Sequence, residues 1–138
     1  MPTARAAWID GVRFLGTTGS GHTVPMAGPA RDGQAGAEPT PSELVLTALC
    51  GCTGVVVANL LRMMKTPAAG LEVEATADHA DRHPRVFTGI RLHYRVAGDV
   101  PEENLERAIA SSEKTYCLVG AMLGKVAPVT HTCEIVPA

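Results

Sequence analysis

The sequence predicts small antiparallel strand groups and one long helix apolar enough to be the domain's central element. Three observations predict it. Residues 40–65 carry apolar side chains at helical spacing over six turns. Segments on both sides alternate apolar and polar residues between turn signals. The order is strands, helix, strands, helix, strand, which is not the strict alternation of a parallel βαβ fold. At 138 residues the chain is expected to form a single domain, 1–138, long enough to bury a core.

The elements follow in chain order. Residues 3–26 read as a small antiparallel meander: Arg5–Ile9, the turn dipeptide Asp10-Gly11, Val12–Leu15, a second turn at Gly19–Gly21, then His22–Val24. Gly11 accepts the positive φ that a primed hairpin turn needs. Such a sheet is marginal alone and needs a cover on one face. Residues 27–39 are a Gly/Pro-rich loop of about a dozen residues, longer than most connections. The central helix begins with Thr40 as N-cap, Pro41 at the first helical position and Glu43 as the capping-box partner. Gly51 and Gly54 each cost a helix interior about 1 kcal/mol, which predicts a close approach of another backbone or a partner helix. Thr66-Pro67 ends it. Leu71–Ala77 and Val86–Val96 alternate and form a hairpin, with Val86, Ile90, Leu92, Tyr94 and Val96 on one face and Arg91, His93 and Arg95 on the other. Pro101–Ser111 is an amphipathic helix. Lys114–Cys117 interrupts it, Leu118–Gly124 is a short helix with Cys117 at its N-terminus, and Val129–Val136 is a last strand.

Composition narrows the function. The net charge is −2 and aromatics are few, so neither a basic field nor a stacking platform for bases is present, and no nucleic-acid partner is expected. Met1 is not followed by a signal-peptide pattern. No uninterrupted apolar run approaches about 18 residues, so no membrane partner is expected, and the expected compartment is cytoplasmic. Four cysteines in a reducing compartment are not a disulfide framework.

The cysteines are the candidate chemistry. Cys117 at a helix N-terminus is placed where free N–H groups favour a thiolate. Cys52 is half a chain away, mid-helix; alone it reads as a buried small hydrophobe. As a pair they suit oxidation of one thiol to a sulfenic acid and its resolution by the other. Cys50 lies about 200° around the helix from Cys52, so the two do not share a face and a local metal clamp is disfavoured. Cys133 alternates with Val129, His131 and Ile135 and is expected in the core. The histidines show no metal-ligand spacing; a zinc site assembled from Cys and His across the fold is the minor alternative.

Several segments together resemble the OsmC/Ohr family, the osmotically inducible and organic hydroperoxide resistance proteins. They are the meander with Ser20–His22, Pro41–Thr53, Phe87 with Ile90–His93, and Glu113–Val119. The resemblance spans nearly the whole chain. It implies an α+β fold and an intertwined homodimer, with the long helices central, packed together and covered by curved antiparallel sheets, and the active sites at the interface. It implies Cys52 as peroxidatic and Cys117 as resolving cysteine, organic hydroperoxides as substrate, a dithiol reductant, and no metal or bound cofactor. The peroxidase members carry a glutamate directly after the helix-opening proline, paired with an arginine. Here that position is Ser42, and the acid is Glu43. Glu43 is therefore read both as cap and as candidate acid. Arg31 is the first candidate arginine, with Arg5 and Arg13 behind it. The pattern is nearest the OsmC-like branch. The alternative to a peroxidase is a protein of the same fold that binds a small apolar or electrophilic ligand, or senses thiol oxidation.

Overall fold

The computed structural model describes residues 1–29 and 36–138. It consists of two compact units, Met1–Val45 and Leu46–Ala138.

The first unit holds the predicted meander: β1 (Ala4–Asp10), β2 (Arg13–Thr18) and β3 (Thr23–Ala27), antiparallel in that order. Gly11 has φ +46°, and the Trp8 indole donates to its carbonyl at 3.0 Å, so the hairpin turn is pinned by a side chain as well as by glycine. Residues 30–35 of the loop predicted over 27–39, Arg31 among them, lie outside the described residues. The capping box is present. Thr40 Oγ1 accepts from the Glu43 N–H at 3.2 Å, and Glu43 Oε1 accepts from the Thr40 N–H at 3.2 Å and the Thr40 hydroxyl at 2.9 Å.

The long helix α1 runs Pro41–Met63. It ends in a Schellman motif: the Thr66 N–H reaches the Leu61 carbonyl and the Lys65 N–H reaches that of Arg62, both at 3.0 Å. The left-handed residue of the motif is Lys65 at φ 64°, where glycine is the unstrained choice.

The second unit builds its core on a sheet ordered β4-β5-β6, of β4 (Gly70–His79), β5 (Phe87–Ala97) and β6 (Val129–Val136). β4 and β5 form the predicted hairpin. β6 departs from the expectation of antiparallel sheets: it runs parallel to β5, with Cys133 opposite Tyr94. A parallel neighbour needs a long crossover. Residues 98–128 supply it, carrying α2 (Glu102–Ser111), a π-helical turn (Ser112–Tyr116) and α3 (Leu118–Leu123). Ile90, Leu92, Tyr94 and Val96 of β5 are buried, as their alternation predicts, whereas Val86, expected on the same face, precedes the strand and is exposed. They pack with Leu49, Val57 and Leu61 of α1 and Leu105, Ala108 and Ile109 of α2.

The stripe of α1 that enters this core is narrow: Leu49, Thr53, Val57 and Leu61, each four residues apart. Val55 and Met63 on the helix are 71% and 64% exposed. An 18-residue window of α1 has mean hydropathy 2.2 and is 22% buried, so by length and composition the helix is apolar enough to cross a membrane. That differs from the sequence expectation, because Thr47, Thr53 and Asn59 break the apolar run without bringing its average down far. The close approach predicted by the glycines is not made within the chain. A Cβ on Gly51 would meet nothing within 4 Å, and one on Gly54 only Val73 Cγ2 at 3.5 Å.

Candidate active site

A buried hydroxyl chain ties three elements together. Thr53 Oγ1 on α1 lies 2.8 Å from Tyr94 OH on β5 and 2.8 Å from Ser112 Oγ at the start of the π turn. All three residues are almost fully buried, so these bonds have no competition from water and fix the rotation of α1. Burial drives the Tyr94 phenol up to about 12.

The π turn then delivers Cys117. Its closing bond runs from the Cys117 N–H to the Ser112 carbonyl, 2.8 Å. The backbone leaves helical geometry at Cys117 (φ −81°, ψ 99°), which makes that residue the N-cap of α3, its sulfur accepting from the Gly120 N–H at 3.3 Å. Gly120 has to be small: a Cβ there would sit 3.2 Å from Cys117 Sγ and 3.6 Å from Leu49 Cδ1.

The Cys52 side chain, half-buried on α1, is near enough to the buried Cys117 thiol to raise it. Cys117 is 4% exposed, and burial pushes its thiol up to about 11; the Gly120 and Val119 N–H groups pull the other way, and Cys52 adds to the rise. The sequence expectation of a thiolate at this helix start is therefore reversed: the N-terminal N–H groups are present, but desolvation outweighs them. Cys50 turns elsewhere, towards Ala75 and Glu74 on β4, as its offset from Cys52 predicts.

A cleft of ≈ 270 Å³ opens beside Cys117. Leu49, Leu92 and Val129 form an apolar side, and Thr53 and Glu113 carry its other polar groups. From Glu113 a line of partners leads away. Its Oε1 lies 2.8 Å from His131 Nδ1; His131 Nε2 lies 3.2 Å from Glu106 Oε2; Cys133 Sγ donates to Glu106 Oε1 at 3.1 Å. The His131 ring packs edge-on against Tyr94. Cys133 is thus not a plain core residue: it is half-buried with a carboxylate partner, and burial and Glu106 together push it up to about 11. The hydrogen bonds from Cys133 and His131 hold Glu106 below the usual carboxylate range.

Of the other candidates, Glu43 is engaged in the capping box, Arg13 pairs with Asp10 at 3.2 Å and Glu38 at 3.6 Å, and Arg5 lies exposed on β1. Among the described residues no group of three or more His, Cys, Asp or Glu side chains is placed to hold a metal ion. Sequence reasoning missed Thr53, Ser112, Glu113 and His131. Glu113 had a usable signal, since it stands four residues before Cys117 in the same motif; the others depend on contacts across distant elements.

Comparison with known proteins places this arrangement. The family model described as OsmC-like protein matches residues 33–132, which include both cysteines of the pair. The chain belongs to the OsmC-like family. It is 37% identical over 136 residues to protein YhfA of Escherichia coli, covering 98% of each chain. A hypothetical protein from Aquifex aeolicus superposes with a TM-score of 0.87 at 22% identity, covering 100% of this chain and 98% of that one. A Legionella pneumophila structure described as an organic hydroperoxide resistance protein OsmC and predicted redox protein superposes with a TM-score of 0.75 at 15% identity, covering 97% and 96%. At these identities the two structures speak for the fold, which is the α+β fold of the OsmC/Ohr proteins.

Proposed function

We propose that this OsmC-like protein is a thiol-dependent peroxidase that reduces organic hydroperoxides through Cys52 and Cys117. The nearness of Cys52 to the cleft-lining Cys117 carries the reading, because a sulfenic acid formed on Cys52 then has a resolving thiol at hand. The chemistry balances as follows. The Cys52 thiolate attacks the distal oxygen of ROOH, the O–O bond breaks, ROH leaves after taking a proton, and Cys52 becomes a sulfenic acid. Cys117 attacks that sulfur, water leaves, and a disulfide forms. A dithiol reductant returns both cysteines to thiols. The apolar side of the cleft suits an alkyl or aryl R group. We assign thiolate activation to Arg31 with Glu43, following the arginine–acid pair of the peroxidases the chain resembles. A homodimer working as the functional unit would cover the apolar residues of α1 that the protomer leaves exposed.

The test is one equivalent of cumene hydroperoxide followed by mass spectrometry. A rapid, specific Cys52–Cys117 disulfide is the expected result, and Cys52→Ser should abolish hydroperoxide consumption. Slow oxidation spread over the four cysteines would instead support the second reading, an OsmC-fold protein that binds an apolar or electrophilic ligand or senses oxidation. Ser42 in place of the acid after Pro41 favours that reading.

A further inference from the structure

Cys117 is protonated where the reaction needs it to attack, so its proton has to go somewhere. The cleft offers one carboxylate, Glu113. Two independent features place it there. It lies four residues before Cys117 in the π turn, where the wider i→i+5 winding turns residues four and five apart to the same side. It is also held from behind, its Oε1 2.8 Å from His131 Nδ1, while His131 is held in turn by Glu106 at 3.2 Å. The groups facing His131 are Glu113 from the π turn, Glu106 from α2 and Tyr94 from β5, with Cys133 on its own strand bonded to the far oxygen of Glu106.

We propose that Glu113 is the general base for Cys117, and that His131, braced by Glu106, is the positioning residue that holds the Glu113 carboxylate at the cleft. In the peroxidase cycle, on which this role rests, the Cys117 S–H proton passes to the Glu113 carboxylate as the Cys117 sulfur attacks the Cys52 sulfenic acid. The S–O bond breaks, the S–S bond forms, and the departing hydroxide takes the proton from Glu113 and leaves as water. Cys117 is oxidised, Cys52 is reduced by the same amount, and Glu113 is regenerated. The same base serves any disulfide exchange by Cys117, whatever first oxidised Cys52.

The test uses that generality, so that it stands apart from the peroxidase assay. Reduced full-length protein is mixed with 5,5′-dithiobis(2-nitrobenzoate). Attack by Cys52 releases one thionitrobenzoate, and Cys117 attack on the mixed disulfide releases a second; mass spectrometry confirms the sites. Glu113→Gln should leave the first release unchanged and slow the second about tenfold or more at pH 7, within the usual reach of general-base catalysis. The deficit should close as pH rises towards the range where Cys117 ionises unaided. Glu113→Ala should recover with added formate, which a merely structural role would not allow. His131→Gln should slow the second release less, and move its pH profile. Second-phase release at the wild-type rate in Glu113→Gln, or Glu113→Ala unmoved by formate, overturns the proposal. A normal second phase in the wild type without hydroperoxide consumption overturns the peroxidase reading alone.

Discussion

Thr53→Val is the sharpest perturbation of this architecture. Valine keeps the volume of threonine and opens no cavity, so packing is nearly conserved. What is lost is the central hydroxyl of the chain, with its two 2.8 Å bonds to Tyr94 and Ser112. Tyr94 and Ser112 are both 0% exposed, so neither orphaned hydroxyl finds water. An unsatisfied buried hydroxyl costs about 1–3 kcal/mol, so two together predict a loss of about 2–6 kcal/mol. Against a typical total stability of about 5–15 kcal/mol that is a large fraction. Urea denaturation should show the midpoint falling with an unchanged m-value. Removing all three polar groups, in Thr53→Val with Tyr94→Phe and Ser112→Ala, should return much of the loss, because no orphan remains. The effects are therefore strongly non-additive. A Thr53→Val cost below about 1 kcal/mol, or a triple variant as unstable as the summed singles, refutes the reasoning.

Three other outcomes follow from single features. Stability should fall as pH rises from about 9 to 12: Cys117 stays protonated to about 11 in the folded protein against a reference of 9.0, and Tyr94 to about 12 against 10.0. The unfolded chain loses those protons first, so each group's contribution is complete below its reference value and gone above its folded one. For Cys117 the two-unit gap corresponds to about 2–3 kcal/mol, and thermal melts of Cys117→Ser against pH should show the slope reduced by that share. Lys65→Gly should raise stability by about 1 kcal/mol in urea titration, since it relieves a left-handed residue without altering the Schellman bonds. Glu43→Gln keeps a capping-box acceptor but removes the charge, so its melting temperature should stay within about 2 °C of wild type while hydroperoxide consumption drops if the carboxylate activates Cys52.

Much of the fold was legible because local signals and tertiary demands agreed. The capping box, the Asp10-Gly11 turn, the alternation of β5 and the break before Cys117 are local chemistry, and each is present at or near the predicted position. The direction of β6 was not legible. Val129–Val136 has the same alternation whichever way it pairs, and its parallel register depends on where the crossover returns the chain. The pairing of Cys52 with Cys117 could be suggested from thiol chemistry and from resemblance but not from spacing, since the 64 intervening residues carry no spacing rule. The acid–histidine line beside it was invisible for the same reason: Glu106, Glu113 and His131 come from three elements, and nothing local marks them as partners. The state of Cys117 was misjudged because helix-terminus position can be read from sequence, whereas burial, which opposes it and wins, cannot.

The position of the acids separates two questions that the family pattern joins. In the peroxidases this chain resembles, a glutamate after the helix-opening proline serves the attacking cysteine; here that place is Ser42. The departure bears on the first step, the making of a sulfenic acid on Cys52. It does not bear on the second, because the cleft at Cys117 holds its own carboxylate from the π turn, Glu113, with a histidine behind it. The two steps should therefore respond to different substitutions. Glu43→Gln is expected to act on sulfenic acid formation and leave the Cys117 exchange untouched, whereas Glu113→Gln is expected to do the reverse. A protein kept for oxidant sensing needs the second step as much as a fast peroxidase does, since a sensor that cannot close its disulfide is spent by over-oxidation. On the proposed peroxidase reading, the rate of oxidation is thus set at the start of α1, and recovery from each oxidation is set at the π turn.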